Sequence, residues 1–185
     1  MSHRLPQDQE IGSQTGDFTL SGVNHDGRHS LSALLNGKKG AVIIFWSGVC
    51  SHCRRYDRYL NSFAKRHPEL ALAVIASRHG ETPAQLQQTI SERGLGFLVL
   101  HDPGRAVALQ WATEQTPRAF LVDVHRTLVY RGAIDNFKYP ADPDYAGYLE
   151  SAIAEFLAGK PLRRAETPSF GCAIQSVYYT LPKHL

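Results

Sequence analysis

The sequence of 185 residues contains three cysteines, no long apolar run and no dense block of like charge. Three cysteines are too few for the disulfide framework of a small secreted protein. No segment approaches the roughly 20 apolar residues that a membrane-spanning helix needs. The formal net charge of +3 comes without a concentrated basic run, and scattered arginines are typical of a solvated face. We therefore expect neither a nucleic-acid partner nor a membrane partner.

The first residues also lack the apolar core of a signal peptide. This absence favours a cytoplasmic protein, or a periplasmic one if a leader precedes the sequence. The length suits one domain with a sizeable core. We therefore predict a single domain over residues 1–185, with a flexible N-terminus at 1–15 and a C-terminal tail at 160–185. We expect this domain to be a monomer or a weak dimer.

A Cys-x-x-Cys motif, Cys50-Ser-His-Cys53, follows the apolar run 41–46. That run is β-branched and aromatic, which is typical of a strand covered on both faces. Beyond the motif, apolar residues recur at helical spacing: Tyr56, Leu60 and Phe63. Cys50 would then lie at the first turn of a helix, where free N–H groups and the helix dipole favour a thiolate. Cys53, about one turn later, is placed to resolve a mixed disulfide.

His52, between the two cysteines, strengthens the redox interpretation. A histidine that donates to the sulfur stabilises the reduced thiolate and makes the disulfide more oxidising. A buried structural cysteine pair and half of a zinc site remain open for the same motif. A closed zinc site would need scattered ligands, because Cys172 is the one other cysteine. Beside a βαβ pattern the motif favours redox chemistry, and we expect no cofactor and no bound metal.

The remaining pattern alternates strands and helices, which predicts an α/β fold with a central sheet covered by helices on both faces. Apolar runs indicate four core strands, the last in a hairpin with 128–130: 41–46, 70–76, 97–100 and 119–122. An N-terminal hairpin with strands near 17–20 and 28–30 precedes them. A capping residue followed by proline indicates three helix starts: Thr82-Pro83, Asp102-Pro103 and Asp142-Pro143.

Thr116-Pro117 immediately precedes the fourth core strand. Proline at a strand entrance is often an ordinary turn or edge residue, and about 5 to 6 per cent of X–Pro bonds are cis. A cis proline that faces the Cys-x-x-Cys helix would leave the backbone of Thr116 free to pair with an incoming peptide strand. This segment is therefore the second candidate for the site.

Several of these phrases resemble the thioredoxin-like redoxin superfamily, which includes TlpA-like thiol-disulfide oxidoreductases and the AhpC/TSA group. The similar phrases, spread over residues 17–157, are 45–53, 116–123, and 17–20 with Asp26-Gly27. Residues 130–135 and 167–174 resemble a bacterial subgroup whose tail carries a Gly-Cys-x-Ile element. The resemblance implies a thioredoxin-like fold, in which a central mixed sheet has helices on both faces, with an N-terminal β-hairpin and a C-terminal tail extension.

The resemblance also implies roles for individual residues. Cys50 would be the nucleophile, Cys53 the resolving thiol, and Pro117 the cis proline with Thr116 beside it. The implied activity is thiol-disulfide exchange with a protein disulfide substrate and a thiol reductant or oxidant partner. This chain departs from the family pattern at Val49, where tryptophan is usual, and in the Ser-His pair, which replaces the common Pro-Pro or Gly-Pro.

Two other functions remain open. In a thiol peroxidase, Cys50 would be peroxidatic, Cys53 or Cys172 would resolve it, and the hydroxyl of Ser47 would lie near the sulfur, although Ile43 stands where that signature has proline. In a copper-binding chaperone, the two thiolates would need a distal histidine. The candidates for that ligand are His79, His101 and His125.

Cys172 has two interpretations of its own. A lone tail cysteine is most often an inert small apolar residue. Gly171 precedes it, and Phe170 and Ile174 flank it, which suggests a docked tail and a third redox thiol near Cys50.

Overall fold

The computed structural model describes residues 10–174, so the parts of the predicted N-terminus and tail at 1–9 and 175–185 lie outside the described residues. The strands are β1 Thr19–Gly22, β2 Arg28–Ser30, β3 Gly40–Trp46, β4 Leu70–Ala76, β5 Val99–His101, β6 Gln115–Thr116, β7 Arg118–Asp123, β8 Leu128–Gly132 and β9 Cys172–Ala173. The helices are α1 Leu31–Leu34, α2 Ser51–Arg54, α3 Asp57–Asn61, α4 Phe63–Arg66, α5 Pro83–Arg93, α6 Ala106–Gln110 and α7 Tyr148–Leu157.

Seven strands form a mixed sheet in the order β2-β1-β5-β4-β3-β7-β8. β3, β4 and β5 are parallel, and antiparallel neighbours extend the sheet on both sides. β3 is buried along its whole length, as its apolar composition predicts. Gly40 lies opposite Asp123 and Phe45 lies opposite Arg118, so β3 ends at the edge where β7 begins. This register brings the Cys-x-x-Cys motif and Thr116-Pro117 to the same end of the strands.

Two apolar clusters cover the two faces of the sheet. Val42, Ile44 and Trp46 share one cluster with residues of α3, α4, α5 and α7. Ile43 and Phe45 share the other with residues of α1 and α6, because successive side chains of a strand point to opposite faces. Helices on both faces are therefore confirmed. Between residues 10 and 174, no helix is long and apolar enough to cross a membrane.

The helix predicted after Cys53 is broken into α2, α3 and α4. The junction residues Tyr56 and Ser62 have ψ angles of 2° and −3°, which depart from the value of about −42° in a regular α-helix. The apolar spacing still holds, because Tyr56, Leu60 and Phe63 all lie in one core cluster. The periodicity predicted the buried face correctly and missed the interruptions.

The prediction that Asp142-Pro143 starts the last helix is wrong, since α7 begins at Tyr148 after Gly147. The carboxylate of Asp142 instead accepts a hydrogen bond from the backbone N–H of Asp144 at 2.8 Å. An aspartate that binds the backbone two residues later forms a turn. Asp142, which was expected to cap a helix, therefore forms a local turn. The helix starts later, at Tyr148, where apolar residues resume.

The helix predicted at Asp102-Pro103 begins later, at Ala106. The buried carboxylate of Asp102 nevertheless accepts hydrogen bonds from the N–H groups of Val107 at 3.3 Å and Ala108 at 3.1 Å. The hydroxyl of Ser77 donates to the same carboxylate at 2.8 Å. The chemistry expected of Asp102 is present, although the residue is not the helix cap.

The start of α5 follows the prediction closely. Thr82 is the N-cap, its hydroxyl accepts from the N–H of Gln85, and the side chain of Gln85 accepts from the N–H of Thr82. This reciprocal pair is a capping box. Gly94 ends the helix in the left-handed conformation, with φ of 60°.

Residues 12–15, within the predicted flexible N-terminus, make backbone hydrogen bonds to residues 126 and 128. The N–H of Gly12 donates to Leu128 at 2.8 Å, the N–H of Leu128 donates to Ser13 at 2.8 Å, and the N–H of Thr15 donates to Arg126 at 2.8 Å. This part of the predicted flexible N-terminus is therefore hydrogen-bonded beside the β7–β8 hairpin. The cause is non-local backbone pairing, which composition does not report.

Candidate active site

Cys50 is the N-cap of α2, directly after the loop that ends β3. Its N–H donates to the carbonyl of Ser47 at 3.3 Å, and its own carbonyl accepts from the N–H groups of Cys53 at 3.0 Å and Arg54 at 3.2 Å. Cys50 is 1% exposed and Cys53 is fully buried. The predicted junction of strand and helix is present, and both thiols lie beneath the surface.

The two sulfurs of the motif differ in protonation. Hydrogen bonding from the Cys53 thiol lowers the pKa of Cys50 to about 4, although burial acts to raise it. Hydrogen bonding with Cys172 also lowers the pKa of Cys50. Burial, followed by the hydrogen bond to Cys50, raises the pKa of Cys53 well above its ordinary value. Near neutral pH the arrangement therefore favours a thiolate at Cys50 and a thiol at Cys53. From the sequence, the helix N-terminus was expected to lower the pKa of Cys50. In the structure, the main cause of the low pKa is hydrogen bonding with neighbouring thiols.

The Thr116–Pro117 peptide bond is cis, as expected. The carbonyl oxygen of Thr116 lies 3.4 Å from Sγ of Cys50, and Thr116 is buried. The loop before β7 therefore faces the first cysteine of the motif. A cis proline that faces Cys50 is the geometry for which we predicted that a substrate strand pairs with the backbone of Thr116.

The tail brings a third thiol to the same place. Sγ of Cys172 lies 2.6 Å from Sγ of Cys50, and Cys50, Cys53 and Cys172 are all free cysteines. β9 pairs antiparallel with β6, with Cys172 opposite Thr116 and Ala173 opposite Gln115. The structure therefore brings Cys172 against Cys50, as in the docked-tail interpretation. The tail strand itself was not predicted.

The ring of His52 lies against Phe137, with centroids 5.6 Å apart and the ring planes at 75°. Phe137 in turn contacts Phe170 of the tail, with centroids 5.6 Å apart. The groups that shift the pKa of Cys50 are Cys53 and Cys172. The predicted control of the redox potential by the His52 ring therefore stays a prediction, and the observed contacts join this ring to the tail.

Glu81 was missed by the sequence reasoning. Its Oε1 accepts hydrogen bonds from the N–H of Gly48 at 2.8 Å and of Val49 at 3.3 Å, so it holds the loop that delivers Cys50. Burial raises the pKa of Glu81. In the sequence this glutamate precedes a helix cap and looks like an ordinary solvated acid, so no local signal pointed to it.

The three histidines considered for copper lie in different places. The N–H of His79 donates to the carbonyl of Ile174 at 3.0 Å, and Nε2 of His101 lies 3.1 Å from the carbonyl oxygen of Glu81. His125 lies in the β7–β8 turn, at the end of the sheet opposite to Cys50. Among the residues that the structure describes, no group of three or more His, Cys, Asp or Glu side chains is arranged to hold a metal ion.

The family model of the AhpC/TSA family matches residues 11–131. Among curated proteins, the chain is 26% identical over 113 residues to a thiol-disulfide oxidoreductase ResA from Geobacillus thermodenitrificans, covering 61% of this chain and 63% of that protein. It is 25% identical over 126 residues to a thiol:disulfide interchange protein DsbE from Yersinia pestis, covering 68% of this chain and 65% of that protein. The chain thus matches slightly less than two thirds of these relatives' lengths.

Solved structures also resemble the chain, one of them over nearly its whole length. An uncharacterized conserved protein from Geobacillus kaustophilus has a TM-score of 0.81 at 22% identity, covering 94% of this chain and 96% of the other. The thioredoxin domain of a thiol-disulfide oxidoreductase from Bacteroides vulgatus has a TM-score of 0.57 at 18% identity, covering 66% and 87%. The chain therefore has a thioredoxin-like fold. From the family match over most of its length, the chain belongs to the AhpC/TSA family.

Proposed function

We propose that this protein is a thiol-disulfide oxidoreductase in which Cys50 is the nucleophile and Cys53 the resolving thiol. The observation that supports this most directly is the asymmetry of the two sulfurs. The pKa of Cys50 is lowered to about 4, and that of Cys53 is raised. The thiolate is the attacking form of cysteine, so at neutral pH the first thiol is ready to react while the second keeps its proton.

The proposed cycle needs no cofactor. The thiolate of Cys50 attacks one sulfur of a protein disulfide, which forms a mixed disulfide and releases the other substrate sulfur as a thiolate that takes up a proton. Cys53 then loses its proton and attacks Sγ of Cys50. The second substrate sulfur leaves, and the Cys50–Cys53 disulfide holds the two-electron oxidation. A dithiol partner reduces this disulfide, and the same steps in reverse would oxidise a substrate.

The substrate class we propose is an extended peptide segment that carries a disulfide. Thr116 lies beside Cys50, and its backbone pairs with a strand in this structure, β9 of the tail. A substrate strand could take the same place, because strand addition is a common mode of peptide binding. Val49, next to Cys50, is 67% exposed. Its small apolar side chain would contact the substrate at the position where the family pattern that the sequence resembles has tryptophan.

A turnover assay tests this function. The wild-type protein, with a dithiol reductant, should reduce a protein disulfide such as that of insulin well above the rate of the reductant alone. Cys50→Ser should return the rate to that background, because it removes the attacking sulfur. Cys53→Ser should lower the rate strongly, because release of the product then depends on another thiol. Wild-type activity at background, or undiminished activity of Cys50→Ser, would refute the proposal.

Thiol peroxidase activity is the second candidate function. Cys50 has two free thiols beside it, Cys53 and Cys172, and either would condense with a Cys50 sulfenic acid to form a disulfide and water. Ser47, the residue whose hydroxyl was considered for this chemistry, is fully buried. Consumption of hydrogen peroxide by the reduced protein, lost in Cys50→Ser and faster than protein-disulfide turnover, would favour the peroxidase.

A further inference from the structure

The proposed nucleophile is covered by the protein's own tail. Cys50 is 1% exposed, although exchange with a protein disulfide requires its sulfur to be reached from outside. The group in contact with this sulfur from the tail is Sγ of Cys172, 2.6 Å away. In a mixed disulfide the substrate cysteine takes this position.

The tail also takes the place proposed for the substrate backbone. β9 pairs antiparallel with β6, so that Cys172 lies opposite Thr116, and Oγ1 of Thr116 donates to the carbonyl of Cys172 at 3.4 Å. A Cβ atom on Gly171 would lie 1.8 Å from the carbonyl oxygen of Thr116. Glycine is required here by the close approach of the two backbones, and any larger residue would push β9 away.

Anchors on both sides of Cys172 define where the tail lies. Before it, the hydroxyl of Thr167 lies 2.6 Å from that of Tyr130 and accepts from the N–H of Ala133 at 3.0 Å. After it, Ile174 is 1% exposed within the core cluster on one face of the sheet. The N–H of Ile174 donates to the carbonyl of Glu114 at 2.9 Å. The strand between these anchors is therefore held against the active site from both ends.

We propose that the segment 171–174 is an intramolecular substrate mimic and that Cys172 is a third redox-active thiol, which exchanges with the Cys50–Cys53 disulfide. This inference rests on the proposed thiol-disulfide chemistry of Cys50. The thiolate of Cys172 attacks Sγ of Cys50, the Cys50–Cys172 bond forms, the Cys50–Cys53 bond breaks, and Cys53 leaves as a thiolate that takes up a proton. The number of disulfides is unchanged, so no oxidant or reductant is consumed.

The charges around Cys172 fit this direction of attack. In the reduced protein, burial, followed by contact with Cys50, raises the pKa of Cys172, while the His52 N–H and Arg78 lower it. When Cys50 enters a disulfide, it loses its negative charge, so its contribution to the raised pKa of Cys172 is removed, while burial, the His52 N–H and Arg78 remain. Oxidation of the Cys50–Cys53 pair should therefore lower the pKa of Cys172.

The tail consequently competes with external substrates. A tethered partner meets the site at a high effective concentration, so an external disulfide must displace β9 before it reaches Cys50. A substrate that pairs with Thr116 more strongly than the tail would be selected over small disulfides that cannot form a strand.

Gly171→Ala tests this proposal, with Gly104→Ala as the matched control. Both changes add one Cβ atom, which would clash with Thr116 at the first position and meets open space at the second. With one disulfide per molecule, wild type and Gly104→Ala should contain a Cys50–Cys172 bond when acid-quenched samples are mapped by proteolysis and mass spectrometry. Gly171→Ala should contain mainly the Cys50–Cys53 bond.

The same variants should differ in access to Cys50 in the reduced state. Alkylation of Cys50 by iodoacetamide should be about tenfold faster in Gly171→Ala than in the control, a factor that corresponds to about 1.4 kcal/mol of lost docking free energy. Near-ultraviolet circular dichroism would establish that both variants keep the wild-type core. Equal alkylation rates, or oxidised wild type without a Cys50–Cys172 bond, would overturn the proposal. A wild type that forms this bond but reduces no protein disulfide would instead overturn the proposed function.

Discussion

Thr116 lies opposite Cys172 in the antiparallel pair β6–β9, so the residue that precedes the cis proline is paired with the chain's own tail cysteine. The edge predicted for an incoming substrate strand is thus filled in the structure. Sγ of Cys50 lies 3.4 Å from the Thr116 carbonyl oxygen and 2.6 Å from Sγ of Cys172. The residue that pairs with the tail strand and the sulfur proposed to react are therefore in contact, so strand docking and redox chemistry can be tested with the same variants.

The first prediction concerns the protonation of Cys50. The ultraviolet absorbance of its thiolate in the reduced protein should persist as the pH falls from 8 and disappear around pH 4, since hydrogen bonds from Cys53 and then Cys172 lower its pKa to about 4. A folded-state pKa below the unfolded value of about 8.5 stabilises the reduced protein. That contribution is fully present above the unfolded pKa and is lost as the pH falls through about 4. Loss of the thiolate signal near pH 8 would contradict the account.

The second prediction ranks the two neighbouring thiols. Cys53→Ala and Cys172→Ala should each raise the pKa of Cys50, because each removes a sulfur that donates to it. The rise should be larger for Cys53→Ala, since its hydrogen bond is the largest cause of the low pKa. The same absorbance titration measures both variants. A pKa of Cys50 unchanged by Cys172→Ala would mean that the tail thiol does not touch the thiolate in solution.

The third prediction separates two accounts of His52. If its ring donates to the Cys50 sulfur, His52→Ala should shift the reduction potential to more reducing values by about 30 mV, which corresponds to about 1.4 kcal/mol. The observed edge-to-face contact of the ring with Phe137 predicts a smaller shift in potential. It also predicts faster hydrogen exchange in the tail, because Phe137 contacts Phe170. The measurements are equilibration in a glutathione buffer and exchange at the Ile174 amide. A large shift in potential with unchanged tail exchange would favour the first account.

The fourth prediction concerns Glu81, which binds the N–H groups of Gly48 and Val49. Glu81→Ala should lower the free energy of unfolding by about 1 kcal/mol, because the half-buried N–H of Gly48 and the exposed N–H of Val49 lose their acceptor. It should also slow the reaction of Cys50, since the loop that delivers it is no longer held. Glu81→Gln is the matched control, because its carbonyl oxygen can accept the same hydrogen bonds. Equal loss of stability in both variants would point to the charge of Glu81 and not to loop positioning.

Local patterns predicted the parts of this protein that local interactions determine. The strand 70–76, the capping box of Thr82 with Gln85 and the Cys-x-x-Cys junction after β3 all follow from neighbouring residues, and all are present. Asp142-Pro143 misled because a capping aspartate and a turn aspartate have the same sequence signal until the following backbone is known.

The rest of the site depends on contacts between distant parts of the chain. Cys172 meets Cys50 across 122 positions of sequence, and Glu81 binds Gly48 across 33. No periodicity links such residues. Gly171 precedes Cys172 in the sequence, but a glycine is required there by the backbone of Thr116, which lies close only because β6 pairs with β9.

The most direct measurement of the central claim is a trap of the mixed disulfide at Cys50. Because Cys172 lies beside Cys50, Cys53→Ser alone should release the substrate slowly through a Cys50–Cys172 bond, so the trap requires Cys53→Ser together with Cys172→Ser. After reaction with a protein disulfide, this double variant should hold the substrate in a stable disulfide that mass spectrometry maps to Cys50. Adding Cys50→Ser should abolish the adduct. A double variant whose Cys50 stays unmodified under conditions in which the wild type turns over the same substrate would contradict the assignment of Cys50 as the nucleophile.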